Sequence, residues 1–139
     1  MARLLGRLAY ERCFTEEKLE MPKAIVPVPL SRRREMERGY NQAALLGQAV
    51  ASAVGVELRR RVLIKVKVRP PQSELSASRR RRNVAGAYRA NLPPNLRGKH
   101  LLLVDDIMTT GATAEACSRA LLRAGAGSVD VLTVSRVSL

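Results

Sequence analysis

Two adjacent carboxylates are the groups of this chain best suited to chemistry. Asp105 and Asp106 follow four consecutive apolar residues, 101–104, and such a run is typical of a strand buried on both faces of a parallel sheet. Open α/β sheets bind their ligands beyond the carboxyl ends of the strands. An acidic pair in that place is suited to the hydroxyls of a sugar or to a metal-bound diol.

A loop of small residues follows the acids and is predicted to hold a phosphate. Its members are Thr109, Thr110, Gly111, Ala112 and Thr113. A helix is expected to begin near Ala114, and a helix start offers unpaired N–H groups and the positive end of a dipole. A sugar phosphate would satisfy both the acidic pair and this loop.

Three other interpretations of the segment explain less of it. A phosphate-accepting receiver domain needs another acceptor Asp on a later strand, and only Asp130 follows Asp106, within the last predicted strand. A Walker-type nucleotide loop ends in Gly-Lys-Ser/Thr, which is absent here. A solvated turn between strand and helix accounts for Gly111 but not for two adjacent acids.

The length and composition predict one domain with a single sizeable core. The chain has 139 residues, no apolar run long enough to span a membrane, and no apolar core of a signal peptide at its start. Cys13 and Cys117 are far apart, which favours neither a disulfide framework nor a zinc site. We therefore expect a cytoplasmic protein that binds no zinc.

The charge balance is strongly basic. Lys and Arg number 25 against 12 Asp and Glu, and 20 of the basic residues are Arg, so the net charge is +13. Such an excess attracts nucleic acid, diphosphates or anionic membranes. The alternative is a solvated surface rich in Arg, and the few aromatic residues do not strengthen a nucleic-acid interpretation.

The first forty residues are predicted to contain a helix, a strand and a basic loop. Residues 1–20 resemble a short helix that carries Leu4, Leu5 and Leu8, and residues 24–30 resemble a strand that ends in prolines.

Residues 31–39 are expected to form a loop. Its arginines are candidates for binding a diphosphate, since guanidinium groups match phosphate oxygens: Arg32, Arg33, Arg34 and Arg38. A solvated run of charges is the alternative.

The middle of the chain is predicted to alternate between helix, strand and loop. Asn41 is a good N-cap for a helix that has Leu45, Ala49 and Ala53 on one face and ends at Gly55. A half-exposed strand is expected near residues 62–66, and another over 86–90. The segment 69–83 between them has little to bury, so we expect a loop that serves as a lid over the site.

The last third supplies the remaining elements of the fold. His100 is expected to be an ordinary loop residue. The helix after the phosphate loop should end at Gly125. It should bury one stripe of side chains: Cys117, Ala120, Leu121 and Ala124. Residues 129–134 form the closing strand. The order of elements predicts an α/β three-layer sandwich with a mainly parallel central sheet and right-handed crossovers.

The segment from Asp105 to Thr113 resembles the phosphoribosyl diphosphate (PRPP) signature of type I phosphoribosyltransferases. The resemblance implies that Asp105 and Asp106 contact the ribose hydroxyls, directly or through Mg²⁺. It also implies that the loop wraps the 5-phosphate. No segment is evident for the hood that recognises a base in the purine and pyrimidine enzymes.

A second resemblance covers residues 25–136 and is to the competence protein F (ComF) family, a branch of the same fold. The motifs that carry it are Arg38-Gly39-Tyr40-Asn41-Gln42, Gln72 with Leu75, Arg82-Asn83 with Gly86-Ala87-Tyr88, and the Asp105–Thr113 signature. The lid candidates are accordingly Gln72, Arg79, Arg80, Arg81 and Arg82. Many members begin with a zinc ribbon, and here only Cys13 precedes the core.

The resemblance implies a helical extension over residues 1–24 and a phosphoribosyltransferase-like domain over 25–139. It implies PRPP binding with Mg²⁺ and transfer of the phosphoribosyl group to a nitrogen acceptor with release of diphosphate. The alternative is a non-catalytic accessory protein of DNA uptake that binds single-stranded DNA or competence-machinery proteins. A PRPP-sensing regulator of transcription ranks last, because no helix-turn-helix is visible. A homodimer is expected by analogy.

Overall fold

The computed structural model describes residues 2–16, 18–66, 84 and 86–137. In chain order the elements are α1 (Ala2–Tyr10), a π-helical turn (Glu11–Glu16), β1 (Ala24–Pro27), α2 (Arg32–Arg38), α3 (Gln42–Val54), β2 (Glu57–Leu58), β3 (Leu63–Lys65), β4 (Tyr88–Ala90), a 3₁₀ turn (Pro94–Leu96), β5 (His100–Met108), α4 (Ala112–Arg123) and β6 (Ser128–Arg136). Among these residues no helix is long and apolar enough to cross a membrane.

The described strands form two sheets. The larger is entirely parallel, with the strand order β2-β1-β5-β6, and the smaller is the antiparallel pair β3–β4. The register of the larger sheet places Ala24 beside Leu101 and Leu101 beside Val129. The predicted sandwich with a mainly parallel sheet is therefore confirmed, and the two strands predicted near 62–66 and 86–90 are present.

Strand alternation divides the core into two layers. Ala24, Val26 and Leu103 pack on one face of the sheet, beneath α4 and the β3–β4 pair. Ile25 and Leu102 pack on the opposite face, against α3. Because successive side chains of a strand point to opposite faces, an apolar run such as 101–104 serves both layers at once.

The helix α3 buries a different face from the one that Leu45 and Ala53 share. Its buried residues are Ala43, Ala44, Leu46, Gly47, Val50 and Ala51, whereas Leu45 and Ala53 are exposed. Asn41 is the N-cap and accepts a hydrogen bond from the backbone N–H of Ala44, and Gly55 ends the helix with φ of 70°. Both ends were thus predicted correctly, while the buried face was not.

The segment 31–39 is a helix and not the predicted loop. Ser31 caps α2 by accepting a hydrogen bond from the backbone N–H of Arg34, and Gly39 ends the helix in the left-handed region with φ of 73°. Within the helix, Arg33 and Glu37 form an ion pair of 2.8 Å one turn apart. These caps, together with the good helix propensity of Arg and Glu, outweigh the repulsion among the arginines.

His100 is the first residue of β5 rather than a loop residue. Its Nδ1 lies 2.8 Å from Oγ of Ser128, and its Nε2 lies 3.3 Å from Oδ2 of Asp130. Both partners belong to β6. His100 therefore joins the starts of the two strands, about 16 Å along β5 from Asp105.

The helix α1 packs on α3 through a close backbone contact at Gly6. A Cβ atom at Gly6 would lie 2.6 Å from both the carbonyl carbon and the carbonyl oxygen of Ala49. Ala9 and Phe14 extend the contact by packing on the cluster around Leu46. The amino-terminal helix is thus held against the outer side of the α3 layer.

Replacing Gly6 by Ala should lower the free energy of unfolding by about 1–3 kcal/mol, because the added methyl group would overlap the backbone of α3. Helix propensity alone predicts the opposite sign, a gain of about 1 kcal/mol. Urea unfolding of native and G6A protein measures the difference. The exposed Leu4→Ala variant of the same helix is the control, with an expected change within about 0.5 kcal/mol. A stabilised G6A protein would contradict this packing.

Candidate functional site

The acidic pair lies inside β5, near its carboxyl end. The strand continues to Met108, and the register places Asp105 beside Thr133 of β6. Among the described strands, β6 pairs with Asp105, whereas β1 ends beside Val104 and does not reach the acids. By alternation Asp105 shares the face of Leu103, beneath α4, and Asp106 is half-buried with its carboxyl within reach of that of Asp105.

Asp105 is the buried member of the pair. It is 8% exposed, and its Oδ1 accepts a hydrogen bond of 2.8 Å from the backbone N–H of Asp106. Burial, together with the neighbouring Asp106 carboxyl, raises the pKa of Asp105 to about 6. The Oδ1 of Asp106 accepts a hydrogen bond from the backbone N–H of Ile107 at 2.9 Å. The more accessible Asp106 is consequently the better placed of the two to contact a ligand directly.

The predicted phosphate loop leads directly into α4. Gly111 is the N-cap residue, with φ of 81°, a conformation that L side chains rarely adopt. Because glycine has no side chain, the N-cap residue itself accepts no hydrogen bond from the amino-terminal N–H groups of α4. Thr110 Oγ1 accepts a hydrogen bond of 3.3 Å from the N–H of Ala112. Thr109 and Thr110 are exposed and Thr113 is half-buried, so their hydroxyls surround the helix start.

Sequence reasoning assigned no role to Tyr88, although it lies within the quoted Gly86-Ala87-Tyr88 motif. The Tyr88 ring is buried on β4, and burial raises the pKa of its hydroxyl while a hydrogen bond with the Thr113 side chain lowers it. Lys65 Nζ lies 5.6 Å from the ring centroid. The β3–β4 pair thereby supports the phosphate loop from below. A hydroxylated aromatic residue in a short motif was the available signal.

Cys117 of α4 is buried under Asp105. Burial, together with the nearby Asp105 charge, raises the pKa of its thiol to about 12. The thiol is therefore protonated at neutral pH and behaves as a small apolar group. Cys117 is therefore part of the apolar surroundings whose burial of Asp105 raises the pKa of that carboxyl.

The arginine candidates differ in their distance from the loop. Arg32, Arg33 and Arg38 are exposed on α2, and Arg33 is paired with Glu37. Arg34 is the member of this set whose positive charge acts on Tyr88, lowering the pKa of its hydroxyl. The lid candidates Gln72, Arg79, Arg80, Arg81 and Arg82 lie outside the described residues.

The donor set at the end of β5 fits Mg²⁺ better than a metal held by protein alone. Within the described parts of the chain, no group of three or more His, Cys, Asp or Glu side chains converges on one point. Mg²⁺ is commonly bound through one or two carboxylates, with waters and substrate phosphates completing the shell. Asp105 and Asp106 are the residues that would hold it.

Comparison with known families agrees with this geometry. Residues 41–137 match the sequence model of the phosphoribosyl transferase domain. The match includes α3, the acidic pair, the phosphate loop and α4.

Individual relatives and solved structures are similar along most of the chain. The chain is 37% identical to the DNA utilization protein YhgH of Salmonella typhimurium and 35% identical to competence protein F of Haemophilus influenzae, over 98% of this chain in both cases. It spans 60% and 59% of the length of those relatives. Adenine phosphoribosyltransferase from Saccharomyces cerevisiae superposes with a TM-score of 0.60 at 18% identity, over 97% of this chain and 66% of that one. That structural likeness shows the fold.

Replacing Asp105 by Asn should stabilise the protein at neutral pH. In the unfolded chain the carboxyl has its ordinary pKa of 3.8, and in the folded protein it is about 6. The folded state therefore holds more protons between these values, so stability falls as the pH rises through that window. Above pH 7 the free energy of unfolding of D105N should exceed the native value by about 3 kcal/mol. The gain should vanish toward pH 4, as measured by urea unfolding at several pH values.

The Asp106→Asn variant is the matched control for this experiment. It removes the neighbouring carboxyl but leaves Asp105 buried, and burial is the largest cause of the raised pKa. Its gain in stability should therefore be smaller than that of D105N. A D105N effect that is the same at every pH would contradict the assigned pKa shift.

Proposed function

Because the chain belongs to the phosphoribosyl transferase domain family, in its competence protein F branch, we propose that it binds PRPP with Mg²⁺ at the carboxyl end of β5. One observation carries the proposal. A single strand-loop-helix unit holds an acidic pair and a helix start whose N-cap residue, Gly111, has no capping side chain. The two parts have the chemistry of the two ends of a ribose phosphate. Neither part alone would distinguish this ligand from other sugars or other phosphates.

The 5-phosphate would lie at the start of α4. The N–H groups of the first turn and the positive end of the helix dipole favour an anion there. The exposed hydroxyls of Thr109 and Thr110 can donate further hydrogen bonds. Thr113 is held from below by Tyr88, so the loop has a fixed wall on its interior side.

The ribose hydroxyls would lie against the acidic pair. Asp106 is the more accessible carboxylate, and Asp105 is anchored by the backbone N–H of Asp106. Asp105 and Asp106 would hold Mg²⁺, which would supply positive charge to offset that of the diphosphate. Since the pKa of Asp105 is about 6, the pair carries its full negative charge only above that pH. Binding that needs both carboxylates should strengthen as the pH rises through 6.

We further propose transfer of the phosphoribosyl group to a nitrogen nucleophile, with release of diphosphate. The bond from the anomeric carbon to the diphosphate oxygen breaks as the bond to nitrogen forms. Positive charge that develops on the ribose ring is stabilised by the carboxylates beside it. Arg34 is the arginine of α2 whose charge acts on Tyr88, the partner of Thr113, and is our candidate for holding the departing diphosphate.

The second candidate function is binding of single-stranded DNA by an accessory protein of DNA uptake. The observation that favours it is the surface of α2, whose four arginines are exposed beside Met36, 85% exposed, and Tyr40, 49% exposed. Arginine charges follow a phosphate backbone, and an exposed aromatic ring offers a base a stacking surface. The names of the relatives, DNA utilization protein and competence protein F, point the same way. PRPP would then be a regulatory ligand.

Calorimetric titration of PRPP with Mg²⁺ tests the first proposal. Native protein should bind, and the Asp105→Asn/Asp106→Asn double variant should lose at least about tenfold in affinity, because both ribose contacts are removed. D105N alone is expected to be more stable than the native protein, so a loss of binding would not reflect unfolding. Asp130→Asn, at the opposite end of the sheet, is the control. A well-folded native protein that binds no PRPP would refute the proposal.

The salt dependence of binding to an oligo-dT strand tests the second candidate. The logarithm of the association constant should fall linearly with that of the salt concentration. If α2 contacts the strand, Arg32→Ser/Arg38→Ser should reduce the slope by about one for each lost phosphate contact. A variant in which Arg79, Arg80, Arg81 and Arg82 are all replaced by Ser tests whether these lid candidates also contribute to the slope. Arg123→Ser on α4 is the control. If neither set of substitutions changes the slope, neither the α2 arginines nor the lid candidates contact the DNA.

A further inference from the structure

A basic cleft lies beside β2, at the margin of the larger sheet. The strand is followed by three consecutive arginines, Arg59, Arg60 and Arg61, and a cleft of about 340 Å³ opens beside them. None of the described residues that line it is acidic. In the order β2-β1-β5-β6 two strand spacings separate β2 from β5, a distance of about 10 Å. The described lining of the cleft includes no residue of the acidic pair or of the phosphate loop.

Backbone hydrogen bonds hold both sides of the cleft. On one side, the N–H of Arg59 donates to the carbonyl of Ile25 in β1 at 2.8 Å. On the other side, the N–H of Asn91 donates to the carbonyl of Val62 at 2.8 Å, which ties the two sides together. The cleft is therefore formed before a ligand binds, and binding would require little ordering of the backbone.

Arg59 brings to the cleft a hydrogen-bond donor that the described part of the protein does not satisfy. Its Nη2 pairs with Oε2 of Glu57 at 2.8 Å, which fixes one edge of the guanidinium group. Its Nε is enclosed, and no group of the described residues accepts a hydrogen bond from it. A buried donor without an acceptor is unfavourable, so a slight rotation that turns Nε toward an anion in the cleft would be favoured. The side chain is 32% exposed, so the guanidinium group is accessible from the cleft.

The charge of the cleft matches that of a phosphate group. Arg60 and Arg61 are exposed, and no carboxylate among the described residues forms an ion pair with either. Three arginines opposed by the single carboxylate of Glu57 leave two positive charges. A phosphate monoester carries a charge of about −1.5 to −2 at pH 7. Guanidinium groups bind its oxygens in pairs, through hydrogen bonds that the charges strengthen.

Apolar side chains form the rest of the cleft wall. Val62 belongs to the buried core, and Leu58 and Pro93 are half-buried. An inorganic anion would leave these side chains facing water, whereas a phosphate that carries a base would cover them. The exposed amide of Asn91 can donate to and accept from the edge of a base, and a guanidinium group can stack on its face. The volume lies at the small end of the range for ligand sites, about 300–1,000 Å³, which suits one nucleotide.

We propose that this cleft binds a single nucleotide, with the phosphate held by Arg59, Arg60 and Arg61 and the base lying along the apolar wall. A free nucleotide and one nucleotide of a single strand offer the same chemistry, and titrations with each distinguish the two sources. The site is separate from the proposed PRPP site and does not depend on it, since the two share no residue.

NMR titration of the isotope-labelled full chain with dTMP tests the proposal. The backbone amides of residues 59–62 and the Nε–H of Arg59 should shift, and thymidine, which lacks the phosphate, should bind at least about tenfold more weakly. Arg60→Ser/Arg61→Ser should weaken dTMP binding here by about tenfold or more, because two charged contacts are lost. Both residues are exposed, so the variant should keep its fold. Arg123→Ser removes a charge from α4 and should leave the affinity unchanged.

Site-resolved shifts also separate this cleft from the start of α4, where the phosphate of dTMP could bind as well. The Asp105→Asn/Asp106→Asn variant should lose PRPP binding while the response of residues 59–62 to dTMP is unchanged, so either proposal can fail alone. An oligo-dT strand that binds the cleft at least about tenfold more tightly than dTMP identifies a strand as the source, and equal affinities identify a free nucleotide.

Three results would overturn the nucleotide site. One is a set of dTMP shifts confined to the start of α4, with none over residues 59–62. Another is an equal response of the cleft to thymidine and to dTMP, because the phosphate would then contribute nothing. The third is a dTMP affinity of the cleft that Arg60→Ser/Arg61→Ser does not change.

Discussion

The burial of β5 between two layers is the constraint on which the rest of this structure depends. Its apolar residues pack on both faces of the sheet, and Asp105, which follows them in the strand, is buried as well. A carboxyl group in that place is costly to ionise, which explains its raised pKa. The backbone hydrogen bond from Asp106 offsets part of that cost, whereas the neighbouring Asp106 carboxyl adds to it. A site of this kind is held rigidly, since its supports are strands rather than loops.

The supports of the phosphate loop come from distant parts of the chain. The start of α4 is built locally by Gly111, but Thr113 is held by Tyr88 from β4, and Arg34 approaches from α2. These contacts link segments that the sequence separates by tens of residues. The small antiparallel sheet is therefore part of the site's foundation, although it contributes no residue to the acidic pair.

Local patterns were sufficient to predict β5, the loop, α4 and both ends of α3, because each is marked by a continuous apolar run or a cap. The helix α2 was missed because four arginines in seven residues suggested solvation, while Ser31 and Gly39 marked its ends. The buried face of α3 was misjudged because small residues such as Ala43 and Ala51 carry little hydrophobic signal. The role of Tyr88 depends on tertiary contact, which no local pattern contains.

The exposed edge of β6 follows from the way the acidic pair is supported. β1 ends beside Val104, so β6 is the described strand that pairs with β5 at Asp105, and it accompanies β5 as far as Arg136. A neighbour that long leaves an equally long edge, and no strand among the described residues pairs with its outer side.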